Sequence, residues 1–579
     1  MENKKRTSPF SWLTMLHTLR PIDRIEDKIN KTFTPSDWLI SGILFFITIF
    51  GAGVILSSTA YNLADEVPHR GGIYIEGVVG TPRFVNPLLA ISDADRDLSA
   101  LVFSGLMRAT PDEGLVLDLA ERYSVSEDMR TYEFTLRPNI SFHDGTPITS
   151  ADIFYTIQMV KNSEVKSPKR ANWEGVEVTV LDERTISFTL QAPFPLFLEN
   201  TTLGILPKHL WENVQTEEFP FTELNNKPIG SGPYRVHDVK KTASGVPTEY
   251  HLRAFNGAGR HPFITSFVLK FYSNESLLTE AYESGEVHAA HSIIPQASTR
   301  NSEVHSAIFG RVFGVFFNQN QQEIFADSTV RRALDVALDK KDIVSKVVSG
   351  YGVPLFGPLP PQSFSTLSQE SEKDSIASAR DILSSGGWTQ GDDGVWEKEV
   401  GAETRRLSFT LTTAVIPELK KASEIVAEQW RALGAEVELQ TLEQSDINNE
   451  VIRPRKYDAL LFGLVVGREL DLFAFWHSSQ RNDPGLNIAL YANITADKYL
   501  EEARSEQDPV IRREKAEKAA EEIASETAAV FLYAPQFVYR TQNGAQGITL
   551  STLSAPSDRF QDVETWYLNT ERIWPIFTF

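Results

Sequence analysis

The sequence contains no cysteine. Disulfides, thiolate metal sites and a cysteine nucleophile are therefore excluded, and so is the lipid-modified cysteine that tethers many exported proteins. Signatures of covalent, zinc-dependent and phosphate-binding chemistry are missing too: there is no G-x-S-x-G, H-E-x-x-H or G-x-x-x-x-G-K-[ST]. The 11 histidines are scattered, with His288 and His291 the closest pair, whereas a nickel or zinc site wants converging histidines or carboxylates. The Gly-Asp-Asp-Gly run at 391–394 lacks the oxygen-ligand spacing of a calcium loop and reads as a hairpin turn. No cofactor, metal ligand or catalytic group is expected, and no motif supports an enzyme.

At 579 residues the chain is too long for one core, so two or more lobes are expected. Its 41% hydrophobic and 23% charged residues mark ordinary globular material, not disorder. Ten Trp, 16 Tyr and 35 Phe suffice for a large core or a roomy cleft.

Residues 38–64 carry no charged side chain and are bracketed by Asp37 and Asp65. About 20 apolar residues span a bilayer core, and Trp38 and Tyr61 stand where interfacial anchors stand. The reading is a transmembrane helix over 38–63 behind a cytoplasmic tail, 1–37. A buried core helix is one alternative. A cleaved signal peptide fits less well, because 37 residues precede an apolar run that is too long. The tail holds seven Lys and Arg against five acids, which favours keeping it in the cytoplasm, with the bulk of the chain outside. Removing the tail's charges from the totals of 56 and 77 leaves the rest at −23. So acidic a surface argues against nucleic acid or anionic lipid as a partner.

Beyond a short linker at 64–70, strands and helices alternate. Residues 72–80 are strand-like, and 96–109 space Leu98, Leu101, Val102 and Leu106 as a helix does. Residues 131–138 alternate as a half-buried strand, and 176–193 read as a hairpin around Asp182-Glu183. Residues 327–350 predict a helix pair, 417–434 an amphipathic helix closing on Gly434, and 495–526 a charged helical layer. The mixture is α/β or α+β over more than one lobe.

Ser141, His143 and Asp144 sit within four residues. Groups so close in sequence cannot reach around one another as nucleophile, base and orienter, because a triad is assembled from separate segments. Asp144-Gly145 reads instead as a turn, and Thr149-x-x-Asp152 as a capping box. The helix that follows directs Ile153, Phe154, Ile157 and Val160 inward. The stretch is strand, turn and capped helix.

That stretch, YEFTLRPNISFHDGTPITSADIFY, resembles the signature of the family-5 extracytoplasmic solute-binding proteins, the oligopeptide and dipeptide receptors of ABC importers. RFVNPLL (83–89), GILPKHLW (204–211), GSGPYRV (230–236), VFFNQN (315–320), VRRALDVALDKKDIV (330–344) and YDALLFG (457–463) follow in the family's order, so the resemblance runs from about Gly72 to the end. It implies an α/β, two-lobed, periplasmic-binding-protein-like ectodomain of the large peptide-binding class (type II), with two crossover strands near 314–320 and 530–542. The implied division is lobe I over 71–313 and 538–579, with lobe II over 314–537 inserted.

The implied function is that of a membrane-anchored, monomeric receptor. It captures a peptide-like solute between its lobes and delivers it to ABC permease subunits. A tethered chaperone or interaction protein using the same cleft is the alternative, as is a receptor for a nickel complex or a sugar. By the same resemblance, Ile91, Ser92 and Asp93 form one wall of the cleft, and Leu464, Val465 and Gly467 the other. Leu464 stands where the family has a Trp, and Gly467 near where it has the Asp that holds the peptide's amino terminus. Glu469 and Asp471 are the acids that substitute after a loop shift, and Trp476 is a candidate platform.

Overall fold

The computed structural model describes residues 34–291, 302–360, 376–467, 470–542 and 544–573, and the chain folds as two compact units. The first unit combines Met1–His69 with Thr570–Phe579. Its helix, Pro35–Leu63, starts where the sequence dictates. Thr34 and Asp37 close a capping box, and Pro35 occupies the first turn, where its missing N–H costs nothing. Twenty-nine residues make a rod of about 43 Å, more than the ~30 Å hydrocarbon thickness of a bilayer. None of its apolar stretch Pro35–Leu56 is buried in protein, and Leu39, Phe45, Phe46, Phe50 and Ile55 are exposed.

The segment expected to be a linker instead contains a strand, Asp65–His69, paired with Asn569–Ile573. Thr570 donates a hydrogen bond to Glu66, and His69 lies 3.1 Å from Glu571. Nothing local in Asp-Glu-Val-Pro-His announces a strand. Its partner is about 500 residues away, and only the pairing makes it one.

The second unit, Arg70–Asn569, holds two large hydrophobic cores. One gathers residues from Tyr74 to Ala307 and again from Phe537 to Trp566, and the other gathers Ile308 to Ala534. These are lobe I and lobe II. A twelve-stranded sheet runs through both. Its lobe II part orders Glu436–Leu442, Ser408–Ala414, Ala459–Val465 and Arg311–Phe317, and its lobe I part orders Ala289–His291, Ile73–Val79, Ser266–Tyr272, Pro247–Ala254 and Tyr234–Lys241.

Between them lies the long strand Ala529–Thr541. Its first half pairs antiparallel with Arg311–Phe317 and its second half with Glu303–Ile308. The exchange occurs at Phe309–Gly310, where the Phe309 N–H donates to Pro535. Two adjacent strands therefore carry the chain between lobes, and the first crossing lies upstream of Gly314.

The strand–turn–helix in lobe I forms as its residues predict, with one exception. Helix Ser150–Lys161 is closed by the Thr149–Asp152 capping box and buries Ile153, Ile157 and Val160, but Phe154 is exposed. Positions 153, 156, 157 and 160 define the inward face, and 154 lies beyond its edge. The helix expected within 96–109 spans Asp93–Val102, and Met107–Thr110 is a strand.

His143 is buried and clips two motif segments together. Its Nδ1 accepts from the Gly230 N–H at 3.3 Å and its Nε2 donates to the Gly232 carbonyl at 3.1 Å. Burial holds its pKa down to about 4, so the ring is neutral. A side chain at Gly230 would meet the Val102 carbonyl at 2.1 Å, so only glycine fits there.

Candidate functional site

Several cavities open between the lobes, and two of them adjoin the expected walls. The first, about 680 Å³, is lined from lobe I by Glu174, Gln191 and Phe194 and from lobe II by Val466, Gly467 and Arg504. The second, about 490 Å³, lies on the crossover strands between Asp93 of lobe I and Glu418 of lobe II, with Arg311, Phe313 and Phe537 in its wall. Both fall within the size range of ligand sites, about 300–1,000 Å³.

The lobe II wall is built by a strand that ends in a turn. Val466 donates its N–H to the Gly310 carbonyl at 2.8 Å, and Gly467 then turns at φ +75°. Leu464 is buried, while the half-exposed Val465 stands directly across from Arg311 in the strand pairing. Asp471 lines the first cavity. Its Oδ1 accepts from the Phe473 N–H at 3.1 Å, and Oδ2 lies 3.6 Å from Arg504. The Arg504 guanidinium sits 4.5 Å from the Phe473 ring and 5.0 Å from Phe194 of the opposite lobe.

The lobe I wall is the entry to helix Asp93–Val102. Ser92 is committed to capping it: its hydroxyl donates to Asp95 at 2.6 Å and accepts from the Asp95 N–H. Asp95 in turn accepts from the Arg83 and Phe84 N–H groups, fixing the loop that carries Asn86-Pro87. Ile91 is 62% exposed, and Asp93, half-exposed, lies 3.9 Å from Arg96. These two retain free surface.

The structure thus brings Gly467 and Asp471 to one cavity and Asp93 to the other. Trp476 is withdrawn from the wall: it is fully buried in the lobe II core against Phe316, Tyr491 and Phe531. A ring enclosed on that many sides has no face left for a ligand. Glu469 lies outside the described residues.

The lining residues that escaped the sequence reading include Phe194, Arg311, Glu418 and Arg504. Of these four, Arg311 carried a signal, as a lone cation in the apolar strand Arg311–Phe317. Glu418 accepts from the Tyr533 hydroxyl at 2.8 Å, and burial pushes its carboxyl above the ordinary glutamate range. Among the described residues, no cluster of three or more His, Asp or Glu converges as metal ligands do.

Comparison with known proteins agrees with this geometry. The family model for bacterial extracellular solute-binding proteins, family 5 (middle), matches residues 114–484. The oligopeptide-binding protein AppA of Bacillus subtilis is 26% identical over 549 residues, covering 92% of this chain and 98% of that protein. Protein XP55 of Streptomyces lividans is 29% identical over 450 residues, covering 75% and 78%. The structure of Bacillus subtilis AppA in complex with a nonapeptide superposes with a TM-score of 0.66 at 25% identity, covering 87% of this chain and all of that one. NikZ from Campylobacter jejuni in complex with Ni(L-His) shares the fold, with a TM-score of 0.66 at 24% identity, covering 86% and 99%. With two lobes, an interlobe cleft and a family match over most of its length, the chain belongs to the family-5 bacterial extracellular solute-binding proteins.

Proposed function

We propose that this protein is the membrane-anchored receptor of an ABC peptide importer, capturing a peptide-like solute between its lobes and presenting it to the permease. The observation that carries this reading is the pair of interlobe cavities, each lined by residues of both lobes. A ligand touching both walls stabilises the closed form over the open one, which is how a hinged clamp reports occupancy. The likeness to AppA, whose nonapeptide complex has been solved, supports a peptide over other solutes. The wall segments Ile91–Asp93 and Leu464–Gly467 offer backbone groups and small or aliphatic side chains. Such walls hold an extended peptide by its own N–H and C=O groups and tolerate varied sequences. Asp93, half-exposed in the second cavity, is the acid placed to meet a free amino terminus. Helix Pro35–Leu63 is the anchor, with the basic tail inside and both lobes outside. Residues 71–313 and the return of the chain from 538 make up lobe I, and 314–537 lobe II, to within several residues of the crossing; the expected end of lobe I at 579 gives way to Asn569, because Thr570–Phe579 falls with the first unit. The protein binds without chemistry of its own and acts as a monomer.

Calorimetry on the full chain in detergent, against a mixed library of two- to nine-residue peptides, tests the reading. Heat and a thermal shift with peptides are expected. Silence with every peptide, together with a clear signal from a sugar, a nickel–histidine complex or a nucleoside, sinks the peptide assignment and leaves the fold untouched.

A further inference from the structure

Charge is distributed unevenly around the first interlobe cavity. Lobe I brings Glu174 and Glu199 to it and, among the described residues, no lysine or arginine. Lobe II brings Asp471 and Arg504, which lie 3.6 Å apart and offset one another. The balance left over is negative and sits on the lobe I side. Glu174 is exposed, and among the described residues no cation lies within ion-pair distance of it. Its neighbours in sequence fix the turn that carries it. Trp173 is buried, and Gly175 turns at φ +75° with the Gln191 side chain 3.0 Å from where a Cβ would stand.

The carboxylates border a lining that is otherwise chiefly apolar, with Val176, Leu190, Leu196 and Phe197 buried in it. A long side chain laid there passes its stem over carbon and brings its end to the acids. Lysine and arginine have that build, an apolar stem with a charged head that keeps to water. The wall already accommodates one cation, since the Arg504 guanidinium lies 5.0 Å from the Phe194 ring. An aliphatic guest would cover the apolar part and leave the acids without a counter-charge, and an acidic guest would be repelled. The cavity also adjoins the Val466-Gly467 end of the lobe II wall, so a peptide held there by its main chain has a side chain within reach. On a larger scale the chain outside its basic tail is strongly acidic, and such a surface concentrates cations around a cleft.

We infer that the first cavity takes a lysine or arginine side chain of the captured peptide, so that this receptor selects cationic peptides over neutral and acidic ones. The inference rests on the peptide reading above and names its substrate class.

Alanine pentapeptides with one guest residue, placed at each position in turn, are titrated calorimetrically into the full chain in detergent. The guests are lysine, arginine, glutamate and norleucine, which keeps the apolar stem without the charge. The titrations run in about 0.15 M salt, where exposed charges more than about 8 Å apart are largely screened, so that they read the cavity and not the distant surface. The best lysine or arginine peptide is expected to bind about tenfold more tightly than its norleucine counterpart, the effect of one charge-assisted hydrogen bond, with glutamate weakest. Glu174→Gln should cut that ratio about threefold, and Glu174→Lys should abolish it. Equal binding of lysine and norleucine peptides to wild type, or a ratio that Glu174→Lys leaves unchanged, overturns the inference while peptide binding stands. A preference for lysine that appears only at low salt belongs to the whole acidic surface and overturns it too. Failure of every peptide to bind removes the peptide reading and this inference with it.

Discussion

Arg559 holds Asp97 in a two-pronged grip, Nη1 to Oδ1 at 2.8 Å and Nη2 to Oδ2 at 2.6 Å, with both side chains wholly buried and 462 residues apart in sequence. The same guanidinium reaches Glu76 on strand Ile73–Val79, which also accepts from the Tyr539 hydroxyl. Burial raises the carboxyl of Glu76. It acts the same way on Asp97, but Arg559 and His291 together outweigh it and hold Asp97 low. Three segments of lobe I, including the return of the chain from lobe II, are joined at this point. Removing one partner of a buried pair leaves an uncompensated charge, costing about 3–5 kcal/mol. Arg559→Met is expected to lose that much stability in denaturant unfolding. Arg559→Lys should recover little, since an ammonium cannot span both carboxylates in the plane of the fork. A loss under about 1 kcal/mol would show the network to be no stronger than a surface ion pair.

His143 supplies a pH dependence with a definite sign. The ring titrates near 6.5 in an unfolded chain and is held to about 4 in the fold by burial. A depressed histidine pKa means that the unfolded state takes up the proton first. This contribution to stability is therefore complete above pH 6.5 and shrinks as pH falls from about 6.5 towards 4, by about 3 kcal/mol in all. His143→Gln removes the titrating group. Its stability gap to wild type should be widest at pH 7 and narrow on acidification; a gap constant from pH 7 to 4.5 would rule the mechanism out.

The Arg504 guanidinium lies between Phe473 of its own lobe and Phe194 of the other. Contacts of this type contribute about 0.5–2 kcal/mol, enough to shift the balance between open and closed forms severalfold. Phe194→Ala should enlarge the radius of gyration of the ligand-free protein in small-angle scattering and weaken ligand binding about two- to tenfold. Unchanged scattering would show that the contact does not bias closure.

Asp93 is predicted to meet the amino terminus of a bound peptide. Asp93→Asn should weaken binding of free-amine peptides about tenfold, the cost of one lost charge-assisted hydrogen bond. It should leave N-acetylated peptides unaffected. Equal losses for both would move the amine site elsewhere.

The proposed anchor makes a topological prediction. Protease added to intact spheroplasts should remove the bulk of the chain and spare a fragment of the tail and helix Pro35–Leu63. Protection of the whole chain until lysis would reverse the assignment.

Much of this molecule is legible in local residues. The Thr149–Asp152 box, the hairpin about Asp182-Glu183 and the helix closing on Gly434 all form where residue chemistry within a few positions demands. Helix Pro35–Leu63 is legible for the same reason, since twenty-odd uncharged residues have few fates. Motif order carried the fold further, to two lobes. What stayed hidden depends on partners distant in sequence. Asp65–His69 is a strand only because Asn569–Ile573 lies beside it. Ser92 and Trp476 look free in sequence, yet one is taken by the helix cap and the other by the lobe II core. Arg504 meets Phe194, and Arg311 faces the cleft, only after two crossover strands set the lobes against each other. Local rules determine which element a segment becomes; which side chains are left unsatisfied beside a cavity is decided by packing, because burial and pairing are properties of the assembled fold.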